Sequence, residues 1–207
     1  MPDIIGKYKA FYKEDFGSYK DLFERLGSGQ KPHTLFISCS DSRVVPELIT
    51  KSLPGELFVV RTVANIVPPY DNSDISSTVS SAIEYAVMAL EVENIVICGH
   101  YNCGGCAALH LEESKLDDKP SLKKWIKISK DVARKAVETV GSDTSMLYTV
   151  TERLNVVKQI ENILTYPFVK ERFENKKIKI YGWHYIIPTG ELYNYNFDTK
   201  TFEKVVV

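Results

Sequence analysis

Long apolar runs are missing from these 207 residues. None approaches the roughly 20 residues of a transmembrane helix, so no membrane partner is expected. Nor does one sign of charge dominate: 26 lysines and arginines face 27 aspartates and glutamates, a formal net charge of -1. Without a basic tail or an acidic block, the chain lacks the electrostatic footprint of a nucleic-acid binder. Cysteine is scarce as well, and three of the four (Cys98, Cys103 and Cys106) fall within nine positions. So tight a cluster is a poor staple for a chain of this length, which argues against a disulfide framework and for reduced thiols. The opening MPDIIGKYKAFYKEDFG mixes Lys, Asp and aromatics and lacks the apolar stretch of a signal peptide. A cytoplasmic protein is therefore expected, or an organellar one had a transit peptide been removed. Repeats, low-complexity segments and flexible linkers are absent too, so 1–207 reads as one domain.

What the chain does have is 44% hydrophobic residues, enough for a full core. Residues 3–27 read as one or two amphipathic helices, with Ile4, Ile5, Tyr8, Phe11, Tyr12, Phe16, Leu22, Phe23 and Leu26 as apolar positions. GSGQKP then turns the chain. Short apolar strands follow at 34–38, 57–63, 94–99 and 177–187. In the first three the hydrophobicity is continuous, as expected of parallel strands covered on both faces. Between the second and third, Val79, Ile83, Ala86, Val87 and Leu90 recur at helical spacing, with Ser and Asp before them as cap candidates. Further helices are expected around 121–139, 144–164 and 166–175, and PTGE near the C-terminus suggests a hairpin. The class is α/β with a mostly parallel central sheet, so ligands are expected at the C-terminal ends of its strands.

Two such ends carry chemistry. The first strand runs into CSDSR and the third into GHYNCGGC. His100 and Cys103 lie one turn apart, and Cys39 arriving from the first strand supplies a third donor. Two sulfurs and an imidazole suit zinc, and three protein ligands with a fourth position open are the arrangement of a catalytic site. Asp41, two residues from Cys39, can accept a hydrogen bond from water at the metal or bind the metal itself. Arg43 can fix that carboxylate by a two-point pair. Gly104 and Gly105 let the backbone pass close by. Simpler readings exist for each feature: Cys103 and Cys106 as a redox C-x-x-C pair, Asp41 and Arg43 as a local ion pair, and Cys98 as a buried inert thiol. His33, His110 and His184 show no sequence-level partner.

CSDSR followed by HYNCGG resembles the β-class carbonic anhydrases, and PGELFVVRTVANIVPPYD, AIEYAV and VENIVICGH extend the resemblance over about 30 to 110. It implies one zinc ion per chain on Cys39, His100 and Cys103, with Asp41 and Arg43 as catalytic dyad. It also implies a carbon dioxide and bicarbonate pocket lined by Gln30, Phe58, Val63, Tyr85 and Gly104. Gln30 stands where the plant-type branch has its Gln, and Phe36 where a bicarbonate-inhibited branch has Trp. Thr62 and Cys106 depart from the commonest family spelling. The implied reaction is hydration of carbon dioxide to bicarbonate and a proton, in a homodimer or multiple of dimers whose N-terminal helices reach across to the partner. Two rivals remain open. One is a carbon disulfide or carbonyl sulfide hydrolase on the same scaffold. The other is a non-catalytic zinc-stabilised module, which requires a fourth protein ligand from Asp41 or Cys106.

Overall fold

The continuous apolar character of the first strand has a direct structural cause. A computed structural model describes residues 3–71 and 78–207. In it all six residues of β1 (Thr34–Cys39) are buried, because both faces of the sheet are covered. On one face Leu35 and Ile37 join Ile95 and Ile97 against Val156, Ile160 and Ile163. On the other, Phe36 packs with Val96 and Cys98 beside the partly buried Trp183 and Tyr185.

Six strands form one sheet in the order β2-β1-β3-β4-β5-β6. β1, β2 (Leu57–Thr62), β3 (Asn94–His100) and β4 (Lys179–Ile186) are parallel. β5 (Glu191–Asn196) and β6 (Thr201–Lys204) complete the sheet antiparallel. The expected hairpin is the β4–β5 turn, where Gly190 takes a positive φ of 72°. β6 had no sequence signal, since only Phe202 in it is even partly buried. β2 ends one residue earlier than its apolar run: Ala64 and Asn65 turn the chain at φ 58° and 47°.

The helical arm consists of α1 (Ile4–Ala10) and α2 (Phe16–Leu26), joined by a π turn over Phe11–Asp15, and buries none of its residues. Along the chain follow α3 (Pro46–Thr50), α4 (Thr78–Glu84), α5 (Gly104–Ala108), α6 (Pro120–Ile126), α7 (Lys130–Val140), α8 (Leu147–Ile163) and α9 (Pro167–Glu174). The Ser and Asp cap candidates of α4 lie outside the described residues. No helix among the described residues is long and apolar enough to cross a membrane.

α8 fixes the geometry of the functional end. It rides directly on β3 and β4 because two strand positions are glycine: a Cβ on Gly99 would stand 2.7 Å from Val156 Cγ2, and one on Gly182 2.7 Å from Ile160 Cδ1. Its buried polar row pins the segment after β2. Asn155 Nδ2 donates to the Ala64 carbonyl (2.8 Å), Gln159 Oε1 accepts from the Val67 N–H (2.9 Å), and Asn162 Nδ2 donates to the Val67 carbonyl (2.8 Å). Irregular buried backbone is thereby satisfied where no strand partner is available. β1 connects to β2 on one side and β3 to β4 on the other, so the sheet has its topological switch point between β1 and β3. That crevice is where an open α/β sheet binds its ligand.

Candidate metal centre

Cys39 is the last residue of β1 and His100 the last of β3, and the parallel register that pairs Ser38 with Cys98 sets these two ends side by side. After a turn through Asn102 at φ 54°, Cys103 immediately precedes α5 as its N-cap residue. The ligand atoms of Cys39, His100 and Cys103 all lie within 4.8 Å of one another, and the two sulfurs are 3.9 Å apart. His100 Nδ1 donates to the Tyr101 carbonyl at 3.0 Å, which leaves the Nε2 lone pair free. That nitrogen is buried and has no hydrogen-bond partner among the described residues. Leaving such an atom unpaired costs about 1–3 kcal/mol. An orphaned imidazole nitrogen aimed at two thiols is what a soft divalent cation satisfies, and the S, S, N donor set fits zinc. In the metal-free protein the thiols hold their protons firmly. Cys39 is pushed up to about 12, first by its hydrogen bond to Cys103 and then by burial. Cys103 is likewise pushed up to about 12, first by the Cys106 thiol.

Asp41 is turned towards Arg43. Arg43 Nε donates to Oδ1 at 2.9 Å and Nη2 to Oδ2 at 2.7 Å, and the Arg43 backbone N–H also donates to Oδ1 at 2.9 Å. Arg43 Nη2 is itself anchored on the Asn102 carbonyl at 3.0 Å. The guanidinium holds the Asp41 carboxyl well below the usual carboxylate range. Oδ2 nevertheless sits 3.8 Å from His100 Nε2, at the edge of the trio. Neither Asp41 nor Cys106 joins the mutually close set, so among the described residues three protein ligands converge and no fourth does.

Comparison with known proteins agrees with this geometry. The family model described as carbonic anhydrase matches residues 34–192. The chain belongs to the β-carbonic anhydrase family. A carbonic anhydrase of Helicobacter pylori strain J99 is 42% identical over 199 residues, 94% of this chain and 90% of that one. The solved β-carbonic anhydrase CcaA superposes with a TM-score of 0.91 at 36% identity, covering 99% of this chain and 91% of that chain. Two β-carbonic anhydrases of Sordaria macrospora, described as tetrameric, are represented by a chain with a TM-score of 0.79 at 29% identity, with 92% and 93% covered.

In this β-carbonic anhydrase, a member of a zinc-enzyme family, Cys39, His100 and Cys103 are the group able to hold the metal ion. The pocket candidates are less tightly gathered. The Phe58 and Tyr85 rings pair at 5.9 Å between centroids. Val63 borders Gly105, where an added Cβ would stand 3.1 Å from Val63 Cγ1 and 2.8 Å from the Ala64 Cβ. Ala64 in turn packs against Cys39, Cys103 and Cys106. Gly104 is exposed at the start of α5. Gln30 lies exposed between α2 and β1 and makes no hydrogen bond to another described residue.

Three residues at this site were not foreseen. Arg61 clamps the CSDSR loop, donating to the carbonyls of Cys39 (3.1 Å), Asp41 (2.5 Å) and Val44 (2.7 Å). Its sequence signal was an arginine inside the apolar run LFVVRTV. Glu152 accepts from the Cys103 backbone N–H at 3.0 Å, and His184 Nε2 donates to Glu152 at 2.9 Å. Cys98 is buried in β3, in line with its reading as an inert thiol.

Zinc binding by this pair of thiols is expected to be steeply pH-dependent. Both are protonated near neutral pH in the metal-free protein, and His100 is raised above the ordinary histidine value, so each zinc bound expels at least the two thiol protons. Apparent affinity should therefore fall at least about 100-fold for each pH unit lowered. Chelator competition between pH 7 and 8.5 measures the slope. A tenfold dependence would mean that one thiol is already ionised.

Proposed function

We propose that this β-carbonic anhydrase interconverts carbon dioxide with bicarbonate and a proton, using one zinc ion per chain, with Asp41 and Arg43 as its catalytic dyad. Cys39, His100 and Cys103 would hold the zinc ion, which would supply the Lewis acidity that makes water a nucleophile near neutral pH, the behaviour for which carbonic anhydrases are the standing example. The observation that carries the reading is three converging ligands with Asp41 held aside by Arg43. A zinc-stabilised module without activity needs a fourth protein ligand, which the described residues do not supply.

Asp41 Oδ2 accepts the hydrogen of the attacking water and so aims its lone pair at the substrate carbon. Asp41 is too weak a base to keep the proton that the water loses, because Arg43 holds it ionised, so that proton leaves to solvent. It is an orienting acceptor, and Arg43 fixes its direction through the two-point pair. Phe58, Val63 and Tyr85 supply apolar walls suited to an uncharged linear molecule. Gln30, matching the plant-type pattern, donates to a substrate oxygen, and Gly104 gives the substrate close access to backbone. Tyr85 and Val63 are 49% and 39% exposed in the single chain, so these walls suit completion by a second copy. The unburied aromatic arm from α1 to α2 suits the same end, as do the tetrameric Sordaria relatives. We therefore assign a homodimer or multiple of dimers, and a reducing, cytoplasmic compartment that keeps both ligand thiols available.

Stopped-flow hydration of carbon dioxide, run beside metal analysis of the same sample, tests the function. Rapid hydration at one zinc per chain is the expected result. Release of sulfide from carbon disulfide without carbon dioxide hydration would overturn it.

A further inference from the structure

The three metal ligands are not held equally. Cys39 and His100 are fixed by the hydrogen-bonded ladder of the sheet, but Cys103 follows a left-handed turn at Asn102 and precedes a helix of five residues. Its backbone N–H has one partner, Glu152 Oε1 at 3.0 Å. Glu152 is only 2% exposed and His184 is fully buried. His184 Nε2 donates to Glu152 Oε2 at 2.9 Å, and His184 Nδ1 accepts from Arg153 Nε at 3.4 Å, so one tautomer serves both bonds. The Arg153 guanidinium lies over the rings of Tyr193 and Phe202, 4.7 and 5.5 Å from their centroids. A continuous chain of contacts, buried at Glu152 and His184 and partly buried beyond them, therefore runs from the loop ligand through α8 and β4 to the C-terminal strands β5 and β6.

We infer that Glu152 is a positioning residue for zinc, set by His184 and Arg153, which holds the Cys103 peptide so that its sulfur meets Cys39 and His100. Partners of this kind orient ligands that would otherwise swing, and their loss costs about 10- to 100-fold in metal affinity or activity. The inference also explains why α8 must touch β3 and β4 at Gly99 and Gly182. Glu152 lies one turn before Val156, and any retreat of α8 would lift its carboxylate away from Cys103. It rests on the zinc site and not on the catalytic roles of Asp41 and Arg43.

The test is Glu152→Gln, which keeps the shape but must turn an amide N–H towards either the Cys103 N–H or His184. Zinc transfer to a chelator should be 10- to 100-fold faster than in the wild type. The thiolate and ligand-field bands of the cobalt(II)-substituted protein should shift, while the metal-free protein still unfolds cooperatively, its melting temperature lowered only as far as one lost buried hydrogen bond requires. Should Glu152→Gln not fold, a second pair decides. His184→Gln retains a donor towards Glu152 and should release zinc more slowly than His184→Leu. Wild-type release and an unshifted cobalt spectrum in Glu152→Gln, or equal release from the two His184 variants, would overturn the inference. None of these readouts requires carbon dioxide turnover, so a failure of the proposed reaction leaves them interpretable.

Discussion

Replacing Cys39 by serine is expected to remove zinc and carbon dioxide hydration together. Cys39 supplies one of three converging donors, and among the described residues no fourth donor belongs to the set. Apparent zinc affinities of about 10–16 kcal/mol, shared among three donors, assign roughly 3–5 kcal/mol to each, so affinity should drop about 10³-fold. Metal analysis after gel filtration should show less than stoichiometric zinc, with hydration lost in proportion. The fold should survive, because serine nearly matches the thiol in volume and β1 keeps its apolar neighbours on both faces. Cys98→Ala is the matched control. Its thiol sits in β3 packed among Phe36 and Val96, outside the ligand set, so zinc should remain bound. A Cys39→Ser protein that keeps full zinc and full activity would dismantle the assigned centre.

The parts of this site that could be read from sequence are those whose chemistry is local. Cys39, Asp41 and Arg43 lie within five residues, and His100 and Cys103 within one turn, so spacing alone suggested their joint use. Continuous apolar runs placed both groups at strand ends, and a parallel sheet brings such ends together. The rest depends on contacts across long sequence separations. Glu152 and His184 are brought together by the packing of α8, which two glycines on neighbouring strands permit. A glutamate within a helical pattern reads as a solvated face, and nothing in the periodicity marks it as buried. β6 escaped notice because an edge strand with one half-buried phenylalanine has no apolar pattern to detect. Gln30 is the opposite case: it was named through resemblance alone, and in the single chain it lies exposed with no hydrogen bond to another described residue.

Asp41→Ala separates metal binding from catalysis most sharply. Zinc should stay bound, since Asp41 is outside the ligand trio, while kcat/KM for hydration should fall about 10²–10³-fold. The cause of that fall is orientation rather than charge. In the wild type Arg43 keeps Asp41 ionised far below neutrality, so its titration does not shape the activity profile between pH 6 and pH 9. Arg43→Lys supplies the complementary measurement. Lysine retains a positive charge but cannot reach both carboxylate oxygens with a rigid fork, nor span to the Asn102 carbonyl at once. Asp41 stays ionised near neutral pH in that variant, even if its carboxyl returns to the ordinary range near 3.9. A purely electrostatic role would leave activity intact, whereas an orienting role predicts a loss intermediate between wild type and Asp41→Ala. Asp41→Asn should resemble Asp41→Ala, because an amide must point an N–H either at Arg43 or at the attacking water. Loss of zinc from Asp41→Ala would instead make Asp41 a ligand, and unchanged hydration with zinc retained would remove it from the mechanism.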